Sequence, residues 1–247
     1  MRKISAIAVI LTTAFLIIPD IALAGSGISI DIGTDSPNEI NAALKMIAVL
    51  TAITLAPALL LTTTSFVRII VVLSLLRTAL GTQSTPPQQV IVGLSLFLTI
   101  AVMWPIGNQV WYGGLEPYLD GKMPAKEALM SGMEPMKKFM LKQTRENDLM
   151  LFYEISGADR PNTPDDVGMH LLVPSFVISE LRTAFEMGFM LFLPFLLLDI
   201  VVASITMALG LVMLPPAMIS MPIKIMLFVL ADGWNLLVGS LIRSFVS

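Results

Sequence analysis

Residues 187–231 constrain this chain more than any other stretch. They read MGFMLFLPFLLLDIVVASITMALGLVMLPPAMISMPIKIMLFVLA, 45 residues with two charges, Asp199 and Lys224. A bilayer core about 30 Å thick is crossed by roughly 20 apolar helical residues. The run is therefore long enough for two helices, and Pro215-Pro216 supplies a break between them. A proline lacks the backbone donor and clashes with the preceding turn, so a pair of them ends a helix. The implied unit is a helical hairpin built for a membrane or for a fully apolar assembly.

The helical runs imply an all-α fold, and composition supports an integral membrane protein or part of an apolar assembly. Charged residues make up 13% and mean hydropathy is +0.83, whereas soluble domains carry about 25% charged residues. A net charge of -3 and a pI near 5.1 argue against nucleic-acid binding, which requires a basic face. The chain has no Cys, which excludes disulfides, thiolate metal sites and cysteine nucleophiles. Its 17 Met are accounted for by adaptable packing.

The N-terminus has the three parts of a cleavable secretory signal. Arg2-Lys3 precede the apolar run Ile4 to Ile18, and Ala22-Leu23-Ala24 stands before Gly25. About 15 apolar residues are short for a span, so cleavage between Ala24 and Gly25 is favoured over an uncleaved first helix. The mature N-terminus would then begin outside the cytoplasmic membrane.

Five segments follow from this reading. Residues 1–24 are the signal and 25–43 a polar, turn-rich extracytoplasmic arm. Residues 44–112 form a first apolar hairpin, opened by the uncharged run Met46 to Val67 and followed by Arg68 and Arg77. Pro57 predicts a kink there, and Thr62 to Ser65 can return hydroxyls to backbone carbonyls. Gly81 to Gln89 reads as a turn, with Gly and Pro86-Pro87 as stop signals. Val90 to Trp104 is a second apolar run, closed by aromatics suited to a membrane–water boundary.

Residues 113–180 are the one water-compatible region, with 11 Asp/Glu and 7 Lys/Arg. Ala125 to Asp148 predicts an amphipathic helix with Leu129, Met133, Met136 and Met140 on one face. Leu149 to Ile155 predicts a second, short helix, and Thr163-Pro164-Asp165-Asp166 a helix start. Residues 181–247 form the second apolar hairpin. With the signal removed, four spans remain. The positive-inside rule then places Arg68 and Arg77 towards the cytoplasm and the acidic region outside.

The ingredients of catalysis are scarce. His170 is the only histidine, beside Leu171-Leu172, a setting for packing or capping. No G-x-S-x-G or H-E-x-x-H occurs, and Gly121-Lys122 lacks the upstream glycine of a P-loop. The expectation is a non-enzymatic protein with no cofactor and no metal. The informative charges lie in apolar sequence: Glu180, Arg182, Glu186, Asp199 and Lys224. Charges at membrane depth pair or line a wet cavity. Glu180 and Arg182 are two apart and do not face each other on a helix, so their partners lie on other helices or subunits, Lys224 being the obvious one for Glu180. The alternative is that Glu180 and Arg182 sit at the interface and Lys224 snorkels. Gly210 to Pro216 encloses an apolar loop, either a buried interhelix turn or a constriction that gates by dewetting.

Three stretches carry a family resemblance: LTTTSFVRIIVVLSLLRTALGTQSTPPQQVIVGLSLFLT from Leu61, PSFVISELRTAFEMGFMLFLPFLLLDIVVASITMALG from Pro174, and PPAMISMPIKIMLFVLADGWNLLVGSLIRSF from Pro215. In this order and spacing they resemble the FliP family of type III secretion export-gate subunits. The signal and the DGWNLLVGSL ending resemble the flagellar branch rather than the subunits of virulence injectisomes.

The resemblance implies a channel-forming subunit of the flagellar export gate in the cytoplasmic (inner) membrane. Such subunits form a homopentameric ring with FliQ and FliR, docked with FlhA and FlhB inside the MS ring of the basal body. Unfolded rod, hook and filament proteins pass through it, driven by the proton motive force and an ATPase. Much of the assembled gate sits above the bilayer plane. The family's gasket loop falls on Leu211, Val212 and Met213, where this chain keeps only the last Met of a Met-rich motif. Glu180 and Lys224 match charged positions important for assembly, and Phe139 and Phe152 match aromatic positions of the extracytoplasmic domain. From the residues alone, both Phe are core residues. A small-solute transporter or ion channel would also account for Asp199 and Lys224, but inverted repeats do not stand out.

Overall fold

The computed structural model describes residues 37–82, 84–161, 163–211 and 214–246. The signal segment with its Ala24–Gly25 junction, the arm up to residue 36, and Val212 and Met213 of the loop lie outside the described residues. The fold is all-α: every regular element among the described residues is helical. The long helices are α1 (Pro37–Thr62), α2 (Phe66–Ala79), α3 (Gln88–Val110), α5 (Ala125–Gln143), α6 (Glu146–Ser156), α7 (Met169–Ala208), α8 (Pro216–Leu230) and α9 (Gly233–Val246). Between α3 and α5 a π-helical turn (Trp111–Leu115) leads into the short α4 (Glu116–Leu119).

The uncharged run from Met46 to Val67 is two helices rather than one. Thr62 and Thr63 hydroxyls donate to Ala58 O and Leu59 O at 2.9 and 2.8 Å, and Thr64 to Leu61 O at 3.1 Å. Hydroxyls that occupy these carbonyls compete with the next helical turn, and α1 ends at Thr62. The side chains of residues 44–60 are exposed along its length.

The core is built on α2 and α7. Ile69, Val72, Leu73, Leu76 and Ala79 of α2 are buried at helical spacing, against Leu171, Leu172, Phe176 and Ala184 of α7. Full burial of one such aliphatic or aromatic side chain stabilises by roughly 1.5–3 kcal/mol. Ala184 and Gly188 let the two backbones approach, since a Cβ at Gly188 would overlap Leu75. Small residues at i and i+4 serve this purpose between membrane helices.

Three helical stretches are long and apolar enough to cross a membrane: Leu44–Thr62, Gln88–Leu119 and Met169–Ala208. The bent pair α8 and α9, turned by 67°, adds a fourth if taken as one span. Pro105 does not end the second apolar run, whose helix continues past Trp104 to Val110. The corner between α8 and α9 falls at Asp232, whose φ of 50° is left-handed. The helix α7 runs without a break through Pro174, Glu180 and Pro194.

The acidic region differs from its sequence pattern in three respects. The predicted face of Leu129, Met133, Met136 and Met140 is buried only at its C-terminal end: Met140 is fully buried and Met136 half-buried, whereas Leu129 and Met133 are 64% and 38% exposed. Ala128 and Phe139 are buried beside Met140. The π-helical turn sits so close to α5 that a Cβ at Gly114 would lie 2.6 Å from Ala128 O and 3.0 Å from Gly132 N. Small residues thus make the contact, and hydropathy, which weighs large side chains, misses it. The helix also stops at Gln143, where Thr144 and Arg145 are extended before α6. Thr163 and Asp166 form the expected capping box, on a 3-10 turn (Pro164–Asp166) rather than on the long helix itself.

Truncating the fully buried Phe176 to Ala should destabilise the detergent-purified chain by about 3–5 kcal/mol. The same change at exposed Phe97 should stay within about 0.5 kcal/mol. Thermal unfolding of the two variants, followed by circular dichroism, checks both.

Candidate functional site

Arg68 is the meeting point of four helices. Its Nε donates to Glu180 Oε2 at 2.9 Å, and Nη2 donates to Glu180 Oε1. Nη2 also donates to Gln143 Oε1 at 2.9 Å, while Nη1 reaches Ser244 O at 3.1 Å and Ser244 Oγ at 3.0 Å. All five N–H groups of the guanidinium thus have an acceptor, drawn from α5, α7 and α9. The guanidinium carbon lies 4.0 Å from the centroid of the Phe245 ring. Arg68 and Glu180 are 2% and 0% exposed.

The local reasons are legible in each element. Arg68 shares the buried face of α2 with Val72 and Leu76, so the helix that packs the core carries the cation into it. Ser244 offers a carbonyl from the last turn of α9, where no intrahelical donor follows. Removing two charges from water is expensive, and only bidentate geometry with the remaining donors satisfied offsets it. The Arg68 cluster meets that condition.

The polar stripe of α7 continues on either side. Ser179 Oγ donates to Asp148 Oδ2 at 2.7 Å and accepts from the Arg145 backbone N–H at 3.0 Å. Arg145 then reaches Glu186 with two hydrogen bonds of 2.9 and 2.5 Å. The Glu186 carboxylate raises the Arg145 pKa above its ordinary value. Together these contacts hold the start of α6 against α7.

A second buried cation closes the other end. Lys224 Nζ donates to Asp199 Oδ2 at 2.6 Å and to Ala79 O at 3.2 Å. Ala79 is the last residue of α2, where the helix presents free carbonyls and the negative end of its dipole. The anticipated Glu180–Lys224 pair is therefore not made within the subunit. Each residue has its own partner, Arg68 for Glu180 and Asp199 for Lys224. Arg68 is buried in the core of the subunit. The spacing Arg68, Val72, Leu76 was the available signal, because it places the charge on the apolar face of its own helix.

The remaining predicted positions separate. Phe139 is buried, with its ring edge-on to Phe176 at 5.9 Å and stacked on Phe245 at 6.4 Å. Phe152 is partly buried against the same core. Leu211 is exposed, and its N–H donates to Thr206 O at 3.0 Å. Gly210, with φ of 71°, makes the left-handed step out of α7 into the loop. No group of three or more His, Cys, Asp or Glu among the described residues could hold a metal ion.

Glu180→Gln should lower stability by about 3–5 kcal/mol, because it leaves a buried guanidinium without its counter-charge. Arg68→Met combined with Glu180→Leu should lose less than the two single changes summed. A double-mutant cycle on denaturant unfolding in micelles measures the coupling. Arg145→Ala, facing a half-exposed Glu186, should lose no more than about 1 kcal/mol.

The comparisons with known proteins agree over most of the chain. The sequence profile of the FliP family matches residues 49–241. The flagellar biosynthetic protein FliP of Caulobacter vibrioides is 44% identical over 245 residues, covering 99% of this chain and 92% of that protein. The flagellar biosynthetic protein FliP of Bacillus subtilis is 47% identical over 212 residues, 86% of this chain and 96% of that one. That of Pectobacterium carotovorum subsp. carotovorum is 52% identical over 204 residues, 83% and 79% of the two chains. The chain belongs to the FliP family.

Proposed function

We propose that this chain is a core, channel-forming subunit of the flagellar type III protein export gate. In this reading it passes unfolded rod, hook and filament proteins across the cytoplasmic membrane during flagellum assembly. It acts without enzymatic chemistry or a cofactor, so the driving force comes from the proton motive force and a separate ATPase.

The observation that carries the reading is the outward stripe of α7. Phe185, Phe189, Met190, Leu193, Leu197 and Ile200 are all exposed, while the charges on α7 that could hold a partner are engaged inside the subunit. An apolar surface of this extent marks an interaction site, and it suits lipid or further apolar subunits. The family and the relatives' names supply the flagellar context.

The assembly we propose is a pentameric ring of this chain with FliQ and FliR, docked with FlhA and FlhB within the MS ring. The N-terminal 24 residues are removed, and the acidic region faces the periplasm. Glu180 acts indirectly: through Arg68 it sets the positions of α2, α5, α7 and α9, and so the shape of the face offered to neighbours. Leu211, Val212 and Met213 form the apolar constriction of the closed pore. The end of α7 at Ala208, the left-handed Gly210 after it and the start of α8 at Pro216 support that assignment.

Native mass spectra of the chain co-expressed with FliQ and FliR test the assembly. A pentamer carrying both partners is expected; a persistent monomer that takes up neither would overturn the reading. Replacing Leu211, Val212 and Met213 together by Gly should leave assembly intact and make cells leak small ions. An unchanged barrier in an assembled complex would remove the constriction role.

A further inference from the structure

A small apolar pocket of about 190 Å³ opens between α2, α3 and the start of α9. Leu76, Val90, Ile91, Leu94 and Trp234 are among the side chains that line it, and Arg77 is its one charged residue. Arg77 is half-buried, and its guanidinium has no hydrogen-bond or ion-pair partner among the described residues. This sets it apart from Arg68 and Lys224, whose charged groups have partners within the fold. Asp232, at the neighbouring corner, makes no ion pair among the described residues and accepts from Asn235 Nδ2 at 3.0 Å.

The depth of the pocket follows from the fold. Val90 and Ile91 lie in the first turns of Gln88–Leu119, a stretch long and apolar enough to cross a membrane, and taken as a span from Gln88 it sets this end of the pocket at the membrane surface. Leu94 lies one turn deeper, towards the hydrocarbon. Trp234 is a side chain suited to headgroup level. A cation at headgroup depth above an apolar slot that continues into the bilayer matches an anion carrying an acyl chain. A water-soluble anion would leave the slot unfilled, and an apolar peptide would leave Arg77 unpaired.

We infer that this pocket is a binding site for an anionic phospholipid, with the phosphate on Arg77 and an acyl segment between Leu76, Ile91, Leu94 and Trp234. Basic groups between membrane helices recognise lipid headgroups in this way. The site belongs to the subunit while α3 lies in the bilayer, before it joins a gate, and it rests on that membrane position of α3.

Lipid retention by the full-length chain tests it. The detergent-purified chain is equilibrated with equal amounts of phosphatidylglycerol and phosphatidylcholine, and the retained lipid is counted by native mass spectrometry. Wild type should prefer phosphatidylglycerol, and Arg77→Gln should reduce that preference about fivefold. Val90→Glu provides a second route: from an exposed position it adds a carboxylate to the lining that Arg77 shares. An acid in the first turn of α3 is favourable to that helix, so folding should be kept. It should reduce the preference to a similar extent. Equal preference in wild type and both variants would overturn the site. So would a complex with FliQ and FliR in which the phosphatidylglycerol is displaced while Arg77→Gln abolishes their uptake, because the occupant would then be protein.

Discussion

The Arg68–Glu180 pair is the interaction on which the rest of the subunit depends. It stands where α2 and α7 cross, and it draws in Gln143 from α5 and Ser244 from α9. Hydrophobic burial on this core is not directional: Val72 or Leu76 could pack against many faces of a helix as apolar as α7. A buried guanidinium with five donors accepts far fewer arrangements, because each unmade hydrogen bond leaves a desolvated donor. The ion pair therefore acts chiefly on which arrangement forms.

The same logic distributes the polar groups of α7. Ser179, Glu180 and Glu186 face helices of their own subunit, whereas Phe185, Phe189 and Met190 face outward. A soluble protein would show the reverse. With polar contacts made inside and apolar surface left outside, the subunit is prepared for an apolar environment, and lipid and neighbouring chains are the two that fit. Lys224 repeats the pattern at the end of α2, where it meets Ala79 O and Asp199 together. Asp199 remains 41% exposed on its side chain, so this second pair is tied less rigidly than the first.

Much of the architecture is legible in the residues. Long uncharged runs, Pro215-Pro216 and Gly210 mark helices and breaks, because backbone donors and acceptors in an apolar setting must be satisfied within the segment. Less legible is the side on which each helix is buried. In α5 the contact is made by Ala128 and by the backbone at Gly132, and a pattern built on Leu129 and Met133 misses it. The charges show the same limit. Glu180 and Lys224 are identifiable as buried and paired, yet opposite sign alone does not say which cation serves which carboxylate.

The sequence by itself determined an all-α, membrane-suited chain, its turn positions and the few charges that demand partners. These follow from hydropathy and backbone chemistry, which act over a turn or two of helix. Only the tertiary structure decided that Arg68 belongs to Glu180 and Lys224 to Asp199, and that Arg77, without a side-chain partner among the described residues, stands beside an apolar pocket. Those outcomes depend on residues 112 and 25 positions apart in the two pairs. The physical reason is that approach distances between helices are set by small residues such as Ala184 and Gly188, and these carry no hydropathy signal of their own.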